Sequence, residues 1–222
     1  MTTNLKITLA IVVAAVIGLG GLLAWTSKGP SPAAPGGQPS ATAPADVLVR
    51  PDSHRLSTAA DGKVTVVEFL DFECEACKAM FPVIERLRAE YGDRVTFVVR
   101  YFPLPGHPNS GTAALAVEAA AQQGALEPMY RKMYETQDQW SHQQTSQAEK
   151  FIGYARELGL DIQRFQQTVN DPATVDRVKR DMNDGATLGV EGTPTLFLNG
   201  QQLPSMPSYE QLKAQIDAAL AR

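Results

Sequence analysis

The stretch VTVVEFLDFECEACKAM, residues 64–80, joins an apolar run to two closely spaced cysteines and then to a helical pattern. Its first part, residues 64–72, is β-branched, aromatic and mostly apolar, which predicts a strand buried on both faces. Apolar residues then recur at helical spacing as far as Gly92, which ends the pattern. A second apolar run, RVTFVVRYF at residues 94–102, predicts another buried strand. This order implies a parallel β-α-β unit with a right-handed crossover.

Cys74 and Cys77 are the only two cysteines of the 222 residues, and they form a C-x-x-C motif. A structural zinc site usually needs four nitrogen or sulfur ligands, and the three histidines are single and scattered. A structural disulfide between such close neighbours would add little stability. A C-x-x-C beside a β-α-β pattern indicates a thioredoxin-like redox motif instead. At the first turn of a helix, unpaired N–H groups and the helix dipole would stabilise a thiolate on Cys74, and Cys77 could resolve a mixed disulfide formed there.

The amino-acid composition limits the kinds of function and the number of domains that this chain can have. Lys and Arg total 20 and Asp and Glu total 24, so the net charge of −4 argues against a nucleic-acid-binding protein, which would show a basic patch. Hydrophobic residues at 44% and charged residues at 20% are typical of a globular domain. The length suffices for one domain with a sizeable core or for two small ones.

The beginning of the chain differs from the rest. The run ITLAIVVAAVIGLGGLLAW, residues 7–25, contains no charged residue and is about long enough to cross a bilayer as a helix. A cleavable signal usually has a shorter apolar core and an A-x-A-like site directly after it, which this run lacks. We therefore expect an uncleaved transmembrane signal anchor over residues 1–28, with a cleaved signal peptide as the alternative. Lys6 and Lys28 flank the run almost symmetrically, so charge does not settle its orientation. Residues 29–45, rich in Pro, Ala and Gly, predict a disordered linker.

The second half of the chain is mostly helical in pattern. From residue 109 to about 188, apolar residues recur three and four apart in segments separated by glycines, which predicts several helices. TLFLNG and the following QQL, residues 195–203, predict two short strands that turn at Asn199-Gly200. SYEQLKAQIDAALAR, residues 208–222, predicts an amphipathic helix. The predicted order is βαβ, a long helical insertion, then ββα.

One more motif completes a resemblance. In VEGTPTLFLNG, residues 190–200, Thr193-Pro194 precedes an apolar strand, a position that suits a residue without an N–H group to donate. Together with VVEFLDFECEAC (66–77) and RYFPLPGHPNS (100–110), this segment resembles the DsbA-type thiol-disulfide oxidoreductases of the thioredoxin superfamily. The resemblance begins near Val47 and runs to the C-terminus.

The resemblance implies a fold and a set of site residues. The fold would be an α/β thioredoxin fold over residues 46–222, with a helical insertion at about 108–189. By position, the cysteines at 74 and 77 would be the exposed nucleophile and the resolving thiol. Pro194 would be a cis-proline that faces the disulfide, and Thr193 would contact the substrate chain. Glu68 would be the buried acid beneath the disulfide.

The residues around Glu68 support that role independently. A lone carboxylate in an apolar strand should have a raised pKa, and it could exchange a proton with Cys77. The alternative is a glutamate at a strand edge that is hydrogen-bonded and inert.

The sequence also departs from the family pattern. Glu75 and Ala76 stand between the cysteines, where strongly oxidising members typically have Pro-His. A carboxylate there opposes a thiolate, and Asp71 and Glu73 add two more negative charges nearby. We therefore expect Cys74 to be less acidic, and the protein a weaker oxidant, than a Pro-His relative.

Three further side chains have open roles. His107, in PLPGHPNS, could act as a general base, but its position before a helix start suits a capping or packing role equally. Trp140 and Tyr134 are expected to pack in the helical insertion or to shape its surface, with a role in substrate binding as the alternative.

The function implied is a thiol-disulfide oxidoreductase that exchanges its Cys74–Cys77 disulfide with thiols of exported, cysteine-containing proteins, without another cofactor or a metal. The oxidase direction is expected, with a reductase or isomerase, or a non-catalytic tethered chaperone, as alternatives. For an oxidase, the family suggests a quinone-linked membrane oxidoreductase as the reoxidising partner. Because disulfides persist mainly outside the cytosol, an anchored domain of this type is expected on the extracytoplasmic side of the cell membrane, as a monomer.

Overall fold

A computed structural model describes residues 42–222 of the chain. The expected membrane anchor and most of the expected linker lie outside these residues. Within the described part, no helix combines the length and the apolar character that a membrane crossing requires. The last residues assigned to the linker, 42–45, pack against the domain. The Ala43 N–H donates to the Gly200 carbonyl at 2.8 Å, and Ala45 begins the first described helix.

A mixed five-stranded sheet organises the described residues, in the order β1-β3-β2-β4-β5. The strands are β1 His54–Ser57, β2 Thr65–Leu70, β3 Thr96–Tyr101, β4 Thr195–Leu198 and β5 Gln201–Gln202. β2 and β3 are parallel, as predicted, and the other neighbouring pairs are antiparallel. The predicted hairpin turn is confirmed at Asn199 and Gly200, both with positive φ. β2, which leads directly to the cysteines, is therefore the central strand.

Helices cover the sheet and fill the stretch between β3 and β4. They are α1 Ala45–Leu48, α2 Glu75–Tyr91, α3 Ser110–Ala121, α4 Leu126–Glu135, α5 Ala148–Glu157, α6 Ile162–Val169, α7 Pro172–Thr187 and α8 Tyr209–Leu220, with short 3-10 turns at Gly92–Arg94 and Gln137–Gln139. α2 is the crossover between β2 and β3. α3 to α7 form the helical insertion, and α8 is the expected C-terminal helix.

The two faces of the sheet have separate cores, because side chains alternate along each strand. Val66 and Leu70 belong to the large core that includes buried residues of α2, α8 and the insertion. Val67 and Phe69 belong to a smaller core with Leu48 of α1. Glu68 lies two residues from both Val66 and Leu70, so its side chain shares their face of the sheet, which is the face of α2 and the cysteines.

The smaller core contains a buried ionic network centred on Arg100. The Arg100 side chain is fully buried, and its Nε donates to Asp181 Oδ1 at 2.6 Å and its Nη2 to Asp184 Oδ2 at 2.5 Å. Its Nη1 donates to the carbonyl oxygens of Val47 and Leu48, at 2.9 Å and 2.7 Å. One guanidinium thus ties β3 to both α1 and α7.

β1 is not among the strands that the sequence predicts. It has four residues, HRLS, of which only Leu56 is buried, and it lies at the edge of the sheet. So short a strand carries no alternation long enough to recognise, and it forms because the edge of β3 offers it backbone partners.

Candidate functional site

Cys74 is the N-cap residue of α2, in an extended conformation that leads the chain from β2 into the helix. Its side chain is only 7% exposed, so it is more covered than the expected nucleophile. The pKa of Cys74 is lowered to about 5. The hydrogen bond from the Cys77 thiol is the largest cause. Hydrogen bonds from Thr193 and from the backbone N–H groups of Cys77 and Ala76 add to it, against the opposing effect of burial. The helix start therefore stabilises a thiolate here, as predicted.

Cys77 lies one turn further along α2 and is fully buried. Both cysteines are free thiols, and the Asp71 N–H donates to the Cys77 sulfur at 3.5 Å. Burial, followed by the hydrogen bond to Cys74, raises the pKa of Cys77 well above its ordinary value. The pair is thus asymmetric, with a thiolate at the rim and a protonated thiol beneath it.

Thr193 and Pro194 face this pair from the loop between α7 and β4. The peptide bond between them is cis, as expected from the resemblance. The Cys74 sulfur lies 3.4 Å from the Thr193 carbonyl oxygen, to which the thiol donates when Cys74 is protonated. The Thr193 hydroxyl is buried and has no partner that meets full hydrogen-bond geometry among the described residues, so it is free to turn towards the thiolate. The fold thereby brings together segments that are 119 residues apart.

Glu68 lies beneath the cysteines on the central strand, and its side chain is buried. Its Oε2 finds no hydrogen-bond partner in the described part of the chain. Burial, and then the negative charge of Cys74, raise the pKa of Glu68 to about 8. The alternative placed Glu68 at a strand edge with its hydrogen bonds satisfied, and both features are wrong, because β2 is the central strand and Oε2 has no partner among the described residues.

The cysteine loop is held by two acids that the sequence analysis treated only as nearby negative charges. Asp71 Oδ1 accepts from the Glu73 N–H at 2.8 Å, and Asp71 Oδ2 accepts from the Leu104 N–H at 2.9 Å. Glu73 is fully buried and accepts from the N–H groups of Asn109 and His142, each at 2.6 Å. Through these hydrogen bonds, the two carboxylates hold the cysteine loop against the segment before α3 and against the helical insertion.

Gln137, in the insertion, completes this attachment and carried no signal in the sequence. It is buried, and its Nε2 donates to the carbonyl oxygens of Phe72 and Cys74, at 2.7 Å and 3.0 Å. Only the fold reveals such a role, because an isolated glutamine in a polar helical stretch is unremarkable in sequence.

The three side chains with open roles are now placed. His107 Nδ1 lies 2.6 Å from Asp71 Oδ2, so its ring supports the cysteine loop. Burial lowers the pKa of His107, but the hydrogen bond and charge of Asp71 outweigh it and raise that pKa overall. Trp140 and Tyr134 are buried, which confirms the packing role and excludes the surface role. Tyr134 stacks on Phe81, with ring centroids 5.3 Å apart.

Comparison with known proteins gives the family. A family model described as thioredoxin matches residues 56–218, which is most of the chain. This chain belongs to the thioredoxin family. The match includes the cysteine pair, the helical insertion and the cis-proline loop, so the expected fold class and resemblance are confirmed for the described domain.

Solved structures of thioredoxin-like proteins agree with this membership. A thioredoxin-like oxidoreductase from Silicibacter pomeroyi DSS-3 aligns with a TM-score of 0.69 at 28% identity, over 81% of this chain and 99% of that one. The thiol-disulfide exchange protein α-DsbA2 from Wolbachia pipientis aligns at 0.65 and 21% identity, over 78% and 90% of the two chains. BdbD from Bacillus subtilis aligns at 0.64 and 23% identity, over 74% and 91%. The last two support the fold alone.

Curated relatives of this thioredoxin-family chain are much longer proteins. The Na(+)/H(+) antiporter NhaA of Herminiimonas arsenicoxydans is 36% identical over 171 residues, which are 77% of this chain and 26% of the antiporter. NhaA 3 of Salinispora tropica is 34% identical over 176 residues, again 26% of its length. The chain thus spans about a quarter of the length of these relatives. Na(+)/H(+) antiport is the activity named for those longer proteins.

Among residues 42–222, no group of three or more His, Cys, Asp and Glu side chains is arranged to hold a metal ion. His54, the third histidine, lies apart on β1 and contacts Glu118 at 2.5 Å.

Proposed function

We propose that this chain is a thiol-disulfide oxidoreductase that exchanges its Cys74–Cys77 disulfide with thiols of exported proteins, most effectively as an oxidase. The asymmetry of the cysteine pair carries this proposal. A thiolate with a pKa of about 5 faces the cis-proline loop, and a buried thiol with a raised pKa lies beneath it. A pair with a purely structural role needs no such difference.

The reaction begins with the disulfide form of the protein. A substrate thiolate attacks the Cys74 sulfur, so a bond forms between the two proteins and the Cys74–Cys77 bond breaks. Cys77 leaves as a thiolate and takes up a proton. The second substrate thiolate then attacks the substrate sulfur of the mixed disulfide and releases Cys74 as a thiolate. The substrate is oxidised by two electrons and the protein is reduced to the dithiol.

The oxidase direction is supported by the stabilised thiolate. A leaving thiol with a low pKa departs faster, and stabilising the reduced form makes the couple more oxidising. In the opposite direction, the same thiolate would attack a substrate disulfide and Cys77 would resolve the mixed disulfide, which is the reductase or isomerase alternative.

Glu68 is the group that we assign to the proton of Cys77. It lies on the same face of the sheet as α2, it is buried, and its pKa of about 8 lets it hold or release a proton near neutral pH. No other described carboxylate combines burial on this face with an unpartnered oxygen near Cys77.

Location and partners follow from the same proposal. The apolar run at residues 7–25 would anchor the chain in the cell membrane, with the domain on the extracytoplasmic side, where disulfides persist. Its clients would be exported proteins with cysteines. A quinone-linked membrane oxidoreductase would return the reduced domain to the disulfide form.

The test is oxidation of a reduced two-cysteine peptide by the disulfide form of the protein. We expect Cys74→Ser to abolish the reaction. Cys77→Ser, supplied instead with the disulfide form of the peptide, should attack it through the Cys74 thiolate and accumulate a mixed disulfide, visible by mass. Equal peptide oxidation by the wild type and Cys74→Ser would overturn the proposal and favour the non-catalytic tethered module. A wild type that reduces insulin but does not oxidise the peptide would favour the reductase.

A further inference from the structure

Two histidines from distant segments flank the cysteine loop. His107 precedes α3, and His142 lies in the insertion after the second 3-10 turn. Their ring centroids are 5.6 Å apart and the ring planes are nearly perpendicular. His107 contacts Asp71, whereas His142 Nε2 lies 2.7 Å from Glu75 Oε1. The carboxylate between the two cysteines is therefore paired with an imidazole that the local sequence does not provide.

Several hydrogen bonds fix the backbone of His142 and the segment that follows it. Its N–H donates to the buried Glu73 carboxylate at 2.6 Å. Its φ of 57° lies in the left-handed region, which few residues other than glycine adopt and which is over-represented at functional sites. Asn109 fixes the next segment, because its Nδ2 donates to the Gln143 carbonyl at 2.7 Å and its Oδ1 accepts from the Gln147 N–H at 2.9 Å.

The charges around Cys74 show why this pairing matters. Asp71, Glu73 and Glu75 supply the negative charges of the loop, and the lysine in the next turn of α2, Lys78, is paired with Asp138 at 2.5 Å. The pKa of Glu75 is lowered, first by the hydrogen bond from its own backbone N–H and then by His142, so this carboxylate is charged at neutral pH. A free carboxylate one residue from Cys74 would oppose the thiolate.

We propose that His142 is a positioning residue for disulfide exchange: its imidazole binds the Glu75 carboxylate and keeps that charge from destabilising the Cys74 thiolate. This rests on the proposed function. The helical insertion would then set the reactivity of the cysteine pair through the contact of His142 with Glu75, in addition to holding the loop. His142 itself takes no part in bond making or proton transfer.

The test is a double-mutant cycle of His142→Asn and Glu75→Gln, measured as the pH dependence of Cys74 alkylation in the reduced protein. Asparagine suits the positive φ of this position and leaves the contact between its backbone and Glu73 in place. Because both side chains are partly exposed, we expect His142→Asn to raise the alkylation midpoint by roughly half a pH unit, about threefold less thiolate. In the Glu75→Gln background the same substitution should have no effect.

His54→Asn is the matched control, because His54 also pairs with a glutamate, Glu118, but away from the cysteines. It should leave the midpoint unchanged in both backgrounds. An equal shift from His142→Asn with and without the Glu75 carboxylate, or no shift in either, would overturn the proposal. The cycle measures charge coupling without turnover, so its failure is distinguishable from failure of the peptide-oxidation test.

Discussion

A buried pair of acids and a single buried acid lie on opposite faces of the same sheet, and they differ in how their charges are satisfied. On the face covered by α1 and α7, Asp181 and Asp184 are bound by the Arg100 guanidinium through contacts of 2.6 Å and 2.5 Å. On the face covered by α2, Glu68 has an oxygen without a hydrogen-bond partner among the described residues, and a pKa of about 8.

The difference separates a structural use of buried charge from a chemical one. A paired and hydrogen-bonded network fixes the elements that it joins and has little reason to exchange protons. A buried carboxyl group without a hydrogen-bond partner has a raised pKa, because burial disfavours its charged form. Such a group can exchange a proton with a neighbouring thiol near neutral pH. All three carboxylates are buried, so burial alone does not identify a reactive group. Glu68 differs because one of its oxygens has no hydrogen-bond partner among the described residues.

The largest effect is expected from breaking the paired cluster. Arg100→Met would remove the fully buried cation that joins Asp181 to Asp184, leaving Asp181 with Arg177 and Asp184 with Arg50. Because a buried network is broken, we expect the free energy of unfolding to fall by about 3–5 kcal/mol. Urea unfolding followed by the fluorescence of the buried Trp140 measures this loss. A loss below about 1 kcal/mol for Arg100→Met would contradict the structural role.

The unpaired acid, Glu68, should instead make the stability of the folded protein depend on pH. The folded-state pKa of Glu68, about 8, lies above its ordinary value of 4.5, so between these pH values the folded protein keeps a proton that the unfolded chain releases. The contribution of Glu68 to stability is therefore complete below the lower value and is lost as pH rises through the higher one.

Glu68→Gln removes this dependence. In the oxidised protein neither cysteine titrates, and the Cys74 charge no longer adds to the effect of burial on Glu68. We therefore expect the wild type to lose on the order of 3 kcal/mol relative to the variant between about pH 5 and 9, less than a folded-state pKa of about 8 would give. Urea unfolding at a series of pH values gives the comparison. Parallel stability curves for the two proteins would show that burial does not hold the proton on Glu68.

The smallest effect is expected at the rim of the site. Glu75→His replaces the carboxylate between the cysteines by an imidazole, and we expect a more oxidising couple, by less than a factor of about ten in the equilibrium with glutathione, or about 30 mV. The effect is modest because Glu75 is exposed and already contacts His142. Redox titration of both proteins measures it, and a mutant with an unchanged or more reducing potential would exclude an effect of the Glu75 charge.

Much of the site could be predicted because its residues are close in sequence or belong to a family motif. Cys74 and Cys77 are joined by a short helical turn, and Pro194 is recognisable from its position before a strand. The raised pKa of Glu68 followed from a carboxyl group in an apolar strand.

The supporting residues could not be predicted, since their roles depend on contacts between distant segments. Glu73 is an ordinary acid in the sequence, and its partners at Asn109 and His142 are 36 and 69 residues away. Gln137 and the pairing of His142 with Glu75 likewise exist only once the insertion has folded over the loop. Local pattern therefore indicates the reacting groups, whereas tertiary structure decides their electrostatic surroundings.

The most direct measurement of the central claim is the rate of Cys74 alkylation in the reduced protein as a function of pH. Stabilisation of the thiolate by Cys77, Thr193 and the start of α2 predicts a midpoint near 5, far below the ordinary value of 9.0. A midpoint close to 9.0 would mean that the fold does not stabilise the thiolate, and it would contradict the proposed enzyme.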